Sequence, residues 1–147
     1  LPEQSFRLRT VLSYREFQLD RAVQDVARLQ GRIQTLSDAT AKLVAEREAV
    51  AAGALLASET SAANLHLVTV YVEALEAREE TIRKEVAELS VHLESARAVV
   101  RERQKAVEVL RRLRERLRAQ DLQDEARREQ RAMDEVASMQ MARREDT

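Results

Sequence analysis

At 147 residues, with 35% charged and only 3% aromatic residues, two glycines and one proline, the chain is too poor in turn formers for a sheet-containing fold. A formal net charge of −1 gives the whole molecule no bias toward nucleic acid or an anionic membrane, and the lack of cysteine excludes disulfide and thiol chemistry. The longest apolar stretch, "AVAAGALLA", is about half of what a membrane span needs.

The opening "LPEQSFRLR" has no apolar core segment of the kind a signal peptide carries, so a soluble intracellular protein is expected. A first helix is expected over about residues 5–52. Leu12, Leu19, Val26 and Ile33 recur at seven-residue steps, as do Ala22, Leu29, Leu36, Leu43 and Val50. Offsets of three and four between the two rows make an a/d seam, the pattern that keeps one helix face against a partner. Arg15, Thr40 and Arg47 interrupt it, and Gly31 falls on the outer face.

A joint is expected over about residues 53–61, with Gly53 as a helix stop and Ser58, Thr60 or Ser61 as the cap of a second helix. That second helix is expected over about residues 62–142. Its a positions are Leu65, Val72, Glu79, Val86, Leu93, Val100 and Val107. Its d positions are Val68, Leu75, Ile82, Leu89, Ala96, Arg103, Leu110 and Leu117. The architecture predicted is all-α: one coiled-coil domain over residues 1–147, a long antiparallel two-helix hairpin in which the second helix overhangs the first. A parallel homodimer of long helices is the rival arrangement, and the Gly and Ser/Thr cluster at the joint favours the hairpin. Folding near residue 57 would set Ser5 opposite Val109, leaving roughly 35 residues after Leu110 unpaired, a helix marginal by itself at that length.

Catalytic chemistry has little to stand on. His66 and His92 are too far apart along one helix to share a metal, and Glu88 with His92 makes only two ligands. No phosphate-binding glycine loop or nucleophile motif is present. No enzyme, cofactor or metal is expected. The segment "RERQKAVEVLRRLRERLR" holds eight basic and three acidic residues. It carries an apolar face of Leu110, Leu113 and Leu117 and no aromatic ring for base stacking, which favours a solvated or protein-binding face over nucleic acid.

The N-terminal "FRLRTVLSYREFQLDRA" and the C-terminal "EQRAMDEVA" resemble FliJ, the coiled-coil protein of the bacterial flagellar type III export apparatus. Phe6, Leu8, Val11, Leu12, Arg15 and Ala22 fit that family's opening; Glu129, Arg131, Met133, Asp134, Glu135 and Ala137 fit its closing pattern. The resemblance implies a non-enzymatic stalk, like the central subunit of rotary ATP synthases. Such a stalk enters the hexameric export ATPase and promotes its assembly and activity. It also docks on the cytoplasmic part of the export gate, and in some members binds export chaperones that have released cargo. It implies a cytoplasmic protein, monomeric when free, peripherally associated with the inner membrane at the flagellar base. In "VYVEAL", Tyr71 and Leu75 fall at the family's gate-binding positions, Tyr71 standing where a Phe is expected. Leu117, Met133, Asp134 and Glu135 are the ATPase-binding candidates. The alternatives are an injectisome counterpart, a generic structural or chaperone-like coiled coil, and a basic-helix nucleic-acid binder.

Overall fold

The computed structural model describes residues 2–56 and 61–147, with side chains from Ser5 onward. The described residues form two α-helices and no strand: α1 spans Pro2–Leu56 and α2 spans Ala62–Glu145. Pro2 opens α1 at a position where its missing N–H has no helical acceptor to lose. Ser61 caps α2, its Oγ accepting the Asn64 N–H at 3.2 Å while its carbonyl accepts the Leu65 N–H at 3.1 Å. Arg143 and Arg144 in the last turn of α2 complement the negative end of the helix dipole. Ser58 and Thr60, the other two capping candidates, lie outside the described residues.

The chain divides into two compact units, Leu19–Glu102 and Leu1–Gln18 with Arg103–Thr147. In the first, the two helices run antiparallel: Arg32 meets Glu85 at 2.8 Å and Arg47, further along α1, meets Glu79, earlier on α2, at 3.4 Å. The residues facing inward are those of the seam, with Ala22, Leu36 and Leu75 fully buried and Val26, Leu29, Ile33, Val86, Leu89 and Leu93 half-buried. In the second unit the helices are again antiparallel, Gln18 meeting Arg103 at 2.9 Å and Glu16 meeting Arg111 at 3.2 Å, over a core of Leu12 and Val107. Two helices enclose little, so most seam residues keep one edge in solvent. A fully buried Leu such as Leu75 still contributes about 1.5–3 kcal/mol through lost apolar hydration.

Arg15, Thr40 and Arg47 sit in the seam itself, each half-buried, and it accommodates them by giving each polar group an acceptor or a counter-charge. Thr40 Oγ1 donates to the Leu36 carbonyl at 3.0 Å, and Arg15 and Arg103 both donate to Gln18 Oε1, at 3.3 and 2.9 Å. Arg47 lies between Glu79 and Glu76, at 3.4 and 3.9 Å.

Three expectations are corrected. Gly53 does not stop α1, which runs on to Leu56 without a positive φ at either glycine. A glycine inside a helix costs about 1 kcal/mol against alanine, which the seam residues on either side of it, Val50 and Ala54, offset. Leu65, an a position by spacing, is 49% exposed, because the α1 residues nearest the joint, Leu55 and Leu56, are themselves exposed and give it no cover. The pairing register also differs by about one heptad. Ser5 lies near Arg114 and Arg118 rather than opposite Val109, so α1 covers α2 as far as Leu117. Every residue from Arg118 to Thr147 is exposed.

Candidate functional site

Tyr71 stands in the third turn of α2, at the edge of the seam in the unit Leu19–Glu102. Its ring is 43% exposed, and its hydroxyl donates to a carboxylate oxygen of Glu46 on α1. That hydrogen bond is the main reason its pKa lies above 10, with desolvation and the Glu46 charge adding to it, so the phenol stays a neutral donor. Leu75, one turn on, is 3% exposed and packs in the seam. The two gate candidates thus present one accessible ring with a core leucine behind it.

Next to them a polar trough is lined by Ser37, Thr40, Ala41 and Arg47 of α1 and Glu76, Glu79, Glu80, Arg83 and Val86 of α2. Arg83 clasps Glu80 through two nitrogens, at 2.6 and 2.9 Å, which holds the Glu80 carboxyl below its usual pKa and raises the Arg83 guanidinium. One oxygen of Glu79 is buried without a hydrogen-bond partner. Charges of opposite sign already meet in this trough, so its role is to hold two helices in one alignment. Sequence reasoning missed Glu46 and the Arg47–Glu79 pair as partners across the seam, because both depend on the register.

The ATPase candidates lie on α2 within the unit that contains Arg103–Thr147. Leu117 is half-buried in the last layer of the seam. Met133 is 67% exposed; the Asp134 carboxylate accepts from Gln130 at 3.3 Å and its carbonyl accepts from Ser138 Oγ at 2.8 Å. Asp134 and Glu135 border a shallow hollow with Arg131, Ser138 and Met139. Beyond Leu117 the positions that continue the seam are Asp121, Asp124, Arg128, Arg131, Glu135, Ser138, Ala142 and Glu145, of which Ala142 alone is apolar. The large apolar residues of this stretch, Leu122, Met133, Val136, Met139 and Met141, are exposed and fall on other positions of the repeat. That departure from period is visible in the sequence. It marks a helix segment that cannot prolong the pairing with α1.

His66 and His92 are both exposed. Among the described residues no three His, Asp or Glu side chains gather as metal ligands, and no helix is long and apolar enough to cross a membrane. In the basic stretch, Arg111 and Arg112 pair with Glu16 and Glu108, and Arg103 is taken by Gln18. Its charge is therefore partly matched within the protein.

A family model described as Flagellar FliJ protein matches residues 4–146, nearly the whole chain. No curated protein matches the chain, and no solved structure does.

Proposed function

The chain belongs to the FliJ family and is a component of the flagellar protein export apparatus; from that premise we propose that it acts as a stalk between the export ATPase and the export gate. The unpaired part of α2, about 27 residues from Ala119 to Glu145, enters the ring of the hexameric ATPase and promotes its assembly and activity. Leu117, Met133, Asp134 and Glu135 contribute to that contact. Tyr71, backed by Leu75, meets the cytoplasmic part of the gate, and export chaperones free of cargo are further partners. The protein carries out no chemistry of its own: it links an ATP-hydrolysing ring to a membrane-embedded channel, working in the cytoplasm against the inner membrane at the flagellar base.

The observation that carries this reading is the complete exposure of α2 after Leu117 together with its loss of a seam face. A helix that cannot pair with its own chain yet continues for seven to eight turns has its apolar residues available to another protein. The experiment is the hydrolysis rate of the cognate export ATPase alone, with the full chain, and with a version ending at Arg118, which keeps every seam layer. Stimulation by the full chain that disappears with the shortened one is the expected result. Equal stimulation by both would move the contact to the paired helices, and no stimulation with no co-migration would overturn the stalk reading. For the gate contact, Tyr71→Ala is expected to weaken binding to the cytoplasmic gate domain at unchanged helix content. Unchanged binding would remove Tyr71 from that surface.

A further inference from the structure

The unit formed by Leu1–Gln18 and Arg103–Thr147 has two unlike flanks. With Leu12 and Val107 at a positions, Glu16 and Arg111 both fall at e, and they meet at 3.2 Å on one side of the helix pair. The other side is the g side, since e and g flank the seam oppositely. Val11, Gln18, Ala106 and Leu113 are its g residues, and Tyr14 and Val109 stand at c beside them. Val11 is 45% exposed, Tyr14 58%, Val109 64% and Leu113 43%. Tyr14 is held in place by the Gln18 amide, which donates to its hydroxyl at 2.8 Å.

Charge is segregated in the same sense. From Arg7 to Gln18 and from Ala106 to Arg116, no g or c position is acidic. The acids of these stretches, Glu16, Glu108 and Glu115, are all at e or b. The g flank is instead edged by Arg7 and Arg116, and neither has an ion pair among the described residues.

We infer that this flank, a shallow apolar groove between two helices with arginines at its edges, docks an amphipathic helix of a partner protein whose apolar stripe is bordered by acidic residues. Two antiparallel helices with small or medium apolar g residues offer a third helix the lateral groove of a three-helix coiled coil. The small Ala106 side chain lets that third backbone approach closely. Arginines at the edge pair with carboxylates on the incoming helix, and they disfavour one flanked by lysine. This surface is separate from Tyr71 and from the unpaired end of α2, and the inference does not depend on the stalk reading.

The test uses the full chain and two synthetic helices of three heptads, both with Leu at a and d, one with Glu and one with Lys at e and g, followed by fluorescence anisotropy. The Glu peptide is expected to bind, with the Lys peptide at least about tenfold weaker and the difference shrinking at high salt. Val109→Glu, on a side chain already in solvent, is expected to weaken the Glu peptide by about tenfold at unchanged circular dichroism. Gln104→Glu, which adds the same charge at an e position, is expected to leave binding unchanged. Equal binding of both peptides, equal loss in both variants, or binding of neither peptide would overturn the proposal. So would sedimentation of the wild type as a dimer that Val109→Glu dissociates, which would assign the groove to a second copy.

Discussion

The stretches of α2 before and after Leu117 are both helical throughout, and both are rich in arginine and glutamate. Before Leu117, Val, Leu, Ile and Ala recur at seam positions and, Leu65 apart, are buried or half-buried; after it, the same positions hold Asp, Arg, Glu and Ser with a single Ala, and every side chain is exposed. Helix formation is common to the two, because high-propensity residues and i,i+4 contacts such as Gln130 with Asp134 extend a helix already nucleated upstream. Pairing is not common to them. What decides whether α2 has a partner in its own chain is which side of the helix the apolar residues occupy.

The largest effect that tests this contrast is a truncation to alanine in each region. Leu75→Ala is expected to destabilise the protein by roughly 2–5 kcal/mol, because it opens a cavity at a site 3% exposed. Leu122→Ala, at a site 67% exposed, is expected to stay within about 0.5 kcal/mol. Urea unfolding followed by circular dichroism measures both. Similar losses would mean that the stretch after Leu117 has a covering surface.

A smaller effect concerns the polar layer within the paired region. Arg47→Ala is expected to destabilise by on the order of 1–3 kcal/mol, leaving Glu79 half-buried without its counter-charge. The double variant Arg47→Leu with Glu79→Leu is expected to recover that loss or exceed the wild type, since well-packed apolar side chains avoid the desolvation of both ions. Thermal unfolding of the three chains checks the sign, and a double variant no more stable than Arg47→Ala would contradict it.

The smallest effect is at Tyr71. Its folded pKa is raised, so the hydrogen bond to Glu46 adds stability that is whole below the unfolded pKa of 10 and is lost as pH climbs through the higher folded value. Near neutral pH nothing titrates there. In a Tyr14→Phe background, Glu46→Gln is expected to move the Tyr71 ionisation, read by ultraviolet absorbance, to lower pH. An unmoved titration would show that Glu46 does not hold the phenol.

Much of the fold is legible in the sequence because a heptad row states which face of a helix is buried: Leu12, Ala22, Leu36, Leu75 and Val107 are all seam positions by spacing alone. The register is not. Sliding one helix by seven residues returns every apolar side chain to the seam, so the rows of Leu and Val are blind to that shift. Only individual polar partners such as Arg32 with Glu85 distinguish one alignment from the next. Gly53 misleads for a related reason, since its local preference is weak beside the packing of Val50 and Ala54. At the candidate site, Tyr71 and its exposure are anticipated by its place beside the seam. Glu46, far away in sequence, needs the register.

The glutamine at position 18, whose one oxygen receives both Arg15 and Arg103, bears on how far the free end extends. An alignment slipped by one heptad would bury as much hydrocarbon but carry the Arg103 guanidinium of α2 away from that acceptor, which would keep only Arg15 of its own helix. It would also shift α2 along α1 by about 10 Å. The span of helix left uncovered is therefore gauged by a handful of polar side chains, as a notch fixes the working length of a ruler. Altering them would change the length of the protruding helix while leaving its sequence untouched.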